Sequence, residues 1–107
     1  MSAEAQVAQT HWGECEIRGP VHLFRERLLL RLMRGMLSRG KVLDAGCGSG
    51  SLALDLCRAG YEVEGVEDAE EFVVLVDAKV RRLGLADRLR VRRASVTALP
   101  FANGSFD

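Results

Sequence analysis

A chain of 107 residues makes one small domain at most, and 48% hydrophobic with 28% charged residues is a globular composition, which excludes a disordered or fibrous chain. Fifteen Lys and Arg balance fifteen Asp and Glu, so no global field draws the chain to nucleic acid or anionic lipid. No apolar run approaches the roughly 20 residues of a membrane helix, so no membrane span is expected. Met1 to Gln9 carries Glu4 and no basic cluster followed by an apolar core, so it does not read as a secretory signal and the chain is expected in the cytoplasm.

Residues 1–19 read as a mixed leader. From Val21 to Ser38 the positions Phe24, Leu28, Leu32 and Met36 recur every fourth residue with Leu29, Met33 and Leu37 beside them, which predicts an amphipathic helix. Pro20 suits its first turn and Gly40 its end, and Arg25, Arg27, Arg31, Arg34 and Arg39 form a solvated basic face. Lys41 to Ala45 is a short apolar run ending at glycines, a first strand. Ser51 to Ala59 is apolar around most of its circumference and stops at Gly60, a largely buried helix with Cys57 in the core.

Tyr61 to Val66 alternates apolar and acidic residues, a second strand of period two. Asp68 can cap the next helix, whose first turn holds Glu70 and Glu71, whose last turn holds Arg81 and Arg82, and which Gly84 follows. Its apolar stripe is Phe72, Val76, Val80 and Leu83, widened by Val73 and Leu75. Leu89 to Ala94 is a third strand, with Arg88, Arg90, Arg92 and Arg93 discouraging pairing at a sheet edge. The βαβαβ pattern predicts an α/β fold, the first half of a doubly wound parallel sheet, preceded by the N-terminal helix and with a fourth strand only begun at Phe106 and Asp107. Residues 1–40 and 41–107 form its two parts.

Between the first strand and its helix, Val42-Leu43-Asp44-Ala45-Gly46-Cys47-Gly48-Ser49-Gly50 carries three alternate glycines. Gly46 allows a sharp turn, Gly48 a close backbone approach to a ligand, and Gly50 close helix packing. At Cys47 a small side chain is all the loop requires. Glu67, at the end of the second strand, lies 21 positions after Gly46, where a carboxylate can accept both hydroxyls of a ribose. The pattern is GxGxG rather than GxGxxG, and Ser51 replaces the third glycine of a dinucleotide site. Asp44 opposes a pyrophosphate and suits a cationic ligand, or else it bonds loop amides; both roles stay open. Cys15, Cys47 and Cys57 have no CxxC spacing, which argues against a disulfide framework or a zinc site, and reduced thiols are expected.

VLDAGCGSG, GVED and ALPFANGSFD, in this order, resemble the class I S-adenosylmethionine-dependent methyltransferases, most of all the small-molecule enzymes similar to those of quinone biosynthesis. The resemblance covers residues 42–107. It implies that Gly46, Cys47 and Gly48 run along the methionine part of S-adenosylmethionine with Asp44 near its amino group, and that Gly50 belongs to the same cofactor-binding loop. It further implies that Glu67 holds the ribose, and that Asp68, Ser95 and Val96 meet the adenine. Many relatives carry Asp where Ser95 stands, so adenine recognition is expected to be weaker. The acceptor is expected to be a small molecule, with no nucleic acid partner and no metal. His11, Trp12 and His22 take no site role. A nicotinamide dehydrogenase is disfavoured by Ser51 and Asp44. The other reading is a non-catalytic half-domain that completes its sheet with a partner chain. The stop at Asp107 suggests a fragment of a longer enzyme, with the C-terminal half missing and the activity of this chain alone doubtful.

Overall fold

The apolar stretch Lys41–Ala45 forms β1, followed by α2 at Ser51–Arg58, β2 at Glu62–Glu67, α3 at Glu70–Arg82 and β3 at Leu89–Arg93, with α1 at Pro20–Met36 ahead of them. The computed structural model describes residues 20–107. The leader over residues 1–19, with His11, Trp12 and Cys15, lies outside the described residues. The three strands form one parallel sheet in the order β1-β2-β3, with Lys41 opposite Glu62 and Val63 opposite Leu89. Parallel neighbours cannot be joined by a hairpin, and α2 and α3 supply the crossovers. The expected α/β architecture therefore stands, with the arginine-rich β3 at an edge. No fourth strand is formed among the described residues, although the chain end lies against β1. The Asp107 N–H donates to the Lys41 carbonyl at 2.9 Å, and the Lys41 N–H donates to Asp107 Oδ2 at 3.0 Å, on the edge of β1 that faces away from β2. Phe101 and Phe106 meet edge to face at 4.9 Å in the segment leading there.

The core gathers Ala53, Leu54, Leu56 and Cys57 of α2, Val63 of β2, Val76 and Val80 of α3, and Leu89 of β3. Tyr61, expected to open β2, instead precedes it fully buried, and its hydroxyl donates to the Leu37 carbonyl. The period-two alternation expected for β2 fails in its burial. Val63, Glu64, Gly65 and Val66 are all buried, because a central parallel strand is covered on both faces. Glu64 lies 3.9 Å from the Arg92 guanidinium on the neighbouring strand.

Two helical stripes also differ from expectation. On α1, Leu30 and Met33 pack on the core, as does Leu37 just past its end, while Phe24, Leu28, Leu32 and Met36 face away from it and Met36 is 87% exposed. The helix has two apolar faces, and periodicity alone does not say which of them the sheet takes. On α3, Phe72, Leu75, Val76 and Val80 are buried as expected, but Leu83 is exposed and Lys79 is buried in its stead.

Candidate functional site

Where β1 ends, the Gly46 and Cys47 N–H groups both donate to the Val66 carbonyl, at 2.9 and 3.0 Å, folding the glycine loop over the end of β2. The Gly50 N–H donates to the Cys47 carbonyl at 3.0 Å and closes the turn from which α2 starts. Gly46, Gly48 and Gly50 have φ of +75°, +53° and +82°, a region that side chains disfavour. At Gly50 space forbids one as well, since a Cβ would sit 2.8 Å from Val76 Cγ2. At Gly46 a Cβ would meet nothing within 4 Å, and the loop backbone there borders open space.

Glu67 ties this loop to the next helix. Its Oε1 accepts from the Gly48 N–H at 3.2 Å and its Oε2 from the Ala69 N–H at 2.9 Å. Each carboxylate oxygen has a second lone pair, so both can still accept from a ligand hydroxyl. The cap expected from Asp68 is not made: the N-cap of α3 is Ala69, with no side-chain cap bond. Glu67 reaches the helix's leading amide first, and Asp68 contributes its carbonyl to Arg93 Nε at 3.1 Å while its side chain is exposed.

A cleft of about 570 Å³ opens beside the loop, within the size range of small-molecule sites. Asp44, Gly46 and Cys47 line it from the sheet side, with Ser51 and Leu52 of α2. The opposite wall is α1: His22, Arg25, Glu26, Leu28, Leu29 and Leu32. Glu26 is buried, and its Oε1 accepts from Ser51 Oγ at 2.6 Å, a charge-assisted bond joining α1 to the start of α2. Sequence reasoning missed Glu26. The available signal was its spacing, because Glu26 precedes Leu30, Met33 and Leu37 by four, seven and eleven residues and so shares their core-facing side.

The remaining expected residues stand at the same edge of the sheet. The Ala94 N–H donates to the Glu67 carbonyl at 3.1 Å, which puts Ser95 and Val96 just beyond the end of β3, beside β2. Ser95 Oγ accepts from the Thr97 N–H at 3.2 Å and lies 2.7 Å from Thr97 Oγ1, so its hydroxyl is engaged within its own turn. Val96 is exposed. The structure thus brings Asp44, Gly46 and Cys47 into the cleft, joins Gly48 to Glu67, seats Gly50 against α3, and leaves Asp68, Ser95 and Val96 at adjoining strand ends outside the cleft lining. Among the described residues no group of three or more His, Cys, Asp or Glu converges on a metal position. The Cys57 thiol, in the core, is pushed above its ordinary value by burial, with Asp87 adding to the shift and Arg88 and Arg58 opposing it.

A parallel βαβαβ sheet whose glycine loop is tied to a carboxylate at the end of the second strand defines an α/β protein of the nucleotide-cofactor-binding class. The chain belongs to the family described as the methyltransferase domain, which matches residues 42–107. It is 37% identical over 71 residues to the ubiquinone/menaquinone biosynthesis C-methyltransferase UbiE of Geotalea uraniireducens, covering 64% of this chain and 30% of that one. Among solved structures, PH0226 protein of Pyrococcus horikoshii superposes with a TM-score of 0.76 at 25% identity, over 95% of this chain and 48% of that one. A geranyl diphosphate methyltransferase in complex with GPP and sinefungin gives a TM-score of 0.71 at 25% identity, over 78% and 32%. The chain spans about three-tenths of the length of the curated relatives it matches. S-adenosylmethionine is the cofactor that goes with this family. The residues present suit it: Asp44 brings a carboxylate to the cleft, the backbone at Gly46 leaves room for a ligand, and Glu67 keeps acceptor capacity beside Gly48.

Proposed function

We propose that residues 41–107 form the cofactor-binding half of an S-adenosylmethionine-dependent methyltransferase that acts on a small-molecule acceptor in the cytoplasm. The observation that carries this reading is the pair of bonds that the Glu67 carboxylate accepts from the Gly48 and Ala69 N–H groups, at the end of β2 over which the glycine loop folds. In it, Asp44 faces the ammonium group of the methionine part, and the backbone of Gly46, Cys47 and Gly48 runs along that part, with Gly50 holding the loop on α3. Glu67 accepts the two ribose hydroxyls on its remaining lone pairs, and Asp68, Ser95 and Val96 flank the adenine. The acceptor at Ser95 is a neutral hydroxyl, already bonded within its own turn, so the adenine amine has no charge-assisted bond there. When bound, the cofactor supplies an electrophilic sulfonium methyl. The protein's part is to hold methyl and nucleophile in line, a positioning effect that can lower a barrier by several kcal/mol without a dedicated catalytic base (roughly 7–11 kcal/mol at its upper end). A small acceptor is supported by the names of two relatives, which refer to quinone biosynthesis and to geranyl diphosphate. No helix among the described residues is long and apolar enough to cross a membrane.

The test is calorimetric titration of the full chain with S-adenosylhomocysteine. Saturable binding is expected, weakened about tenfold or more, or about 1.4 kcal/mol, by Glu67→Gln and by Asp44→Asn. An unsubstituted chain that takes up no ligand, or two variants that bind as tightly as the parent, would refute the reading.

A further inference from the structure

Behind the glycine loop lies a polar contact that the cofactor reading leaves unused. Lys79 is 7% exposed, on the core side of α3, and its Nζ donates to the Ser49 carbonyl at 3.1 Å. The Ser49 carbonyl and the Gly50 N–H belong to one planar peptide unit, so fixing one fixes the other. The Gly50 N–H is itself bonded to the Cys47 carbonyl at 3.0 Å. The turn from Cys47 to Gly50 is therefore held by α3 at one end and by β2 at the other, where Cys47 N–H meets the Val66 carbonyl and Gly48 N–H meets Glu67. Three residues before Lys79, on the same face of α3, Val76 abuts Gly50 and sets how near the helix comes to the loop. A lysine head group in a core position is costly unless it is bonded. An apolar residue of similar length could fill the same volume without the bond that the amine makes to the loop.

We propose that Lys79 is a positioning residue for the cofactor. Resting on the site reading above, it orients the Ser49–Gly50 peptide, and with it the loop backbone that borders the cleft, while touching no ligand itself. Removing the amine leaves that peptide held by the Gly50 N–H bond to the Cys47 carbonyl alone, and the loosened loop then has to be ordered when ligand binds.

The test compares the parent chain with Lys79→Met, which keeps the apolar stem, and Lys79→Arg, which keeps a cationic donor. Three readouts are taken: affinity for S-adenosylhomocysteine, thermal unfolding without ligand, and amide hydrogen exchange at Gly48 and Gly50. Lys79→Met is expected to unfold cooperatively yet bind about tenfold more weakly, the worth of one hydrogen bond to a charged group, with faster exchange at both amides. Lys79→Arg is expected to restore most of the affinity and the slow exchange. If the parent chain binds and Lys79→Met binds equally well, the positioning role falls while the site reading stands. If Lys79→Met loses its cooperative transition, or Lys79→Arg recovers nothing, Lys79 is a packing residue and the proposal is overturned. If the parent chain itself does not bind, the site reading fails first and this role fails with it.

Discussion

Gly50 concentrates two constraints in one residue, a φ of +82° and the methyl groups of Val76 at 2.8 and 3.1 Å from any Cβ. Gly50→Ala is expected to destabilise the chain by about 2–4 kcal/mol, the sum of a left-handed penalty and an overpacked contact. Gly50→Ala with Val76→Ala should recover the overpacking part and not the backbone part, which urea unfolding of the single and double variants would separate. Cys57 makes a prediction about pH. Its thiol is raised from an ordinary 9.0 by burial, so above about pH 9 the unfolded chain releases a proton that the folded chain retains. Its stabilising effect is complete below pH 9.0 and declines as pH climbs toward the folded value. Stability measured from pH 8 to 11 should therefore fall less steeply in Cys57→Ala than in the parent; equal slopes would contradict the assignment. At this scale the sequence was informative about where glycine was needed, because a positive φ restricts the residue types allowed. It was silent on Lys79, since a lysine on a helix reads as solvated until a carbonyl from another element is brought to its amine.

Helix α1 is attached by one face only, through Leu30, Met33 and Leu37, the Glu26–Ser51 bond and the Tyr61 hydroxyl on Leu37. Met33→Ala and Met36→Ala should therefore differ, although the two methionines are three residues apart on one helix. The first is expected to cost about 1–3 kcal/mol as a partly buried truncation, and the second, at 87% exposure, to stay within about 0.5 kcal/mol. Equal effects in denaturant unfolding would mean that the docked face has been wrongly identified. Ser51→Ala removes a donor from a buried carboxylate and is expected to cost about 1–3 kcal/mol, with faster amide exchange over α1. The periodicity of α1 was legible from sequence as a helix. Its orientation was not, because apolar residues occupy two sides and the acid that marks the inner side is flanked by arginines. For β2 the alternation was legible and its meaning was misleading, since Glu64 is buried on a strand covered from both faces.

For the molecule as a whole, a ligand that binds the folded chain alone stabilises it by mass action. S-adenosylhomocysteine at 100 times its dissociation constant should add about 2.7 kcal/mol. In a domain of this size that raises the melting temperature by about 10–20 °C, and a tenfold weaker Glu67→Gln should lose about half of the rise at the same ligand concentration. A melting temperature unmoved by ligand in the parent chain would count against the site.

What the amino-acid sequence determined by itself was the order βαβαβ, the parallel sheet that such an order requires, the glycine loop after β1 and the carboxylate at the end of β2. Each follows from local chemistry: hydrophobic period, glycine conformation, and the spacing that a crossover imposes. Tertiary structure alone decided which face of α1 meets the core, that Glu26 and Ser51 join across the cleft, and that Lys79 reaches Ser49. These contacts join residues from different elements, as many as 30 positions apart in the case of Lys79 and Ser49, and no local propensity records a partner that only packing brings within reach.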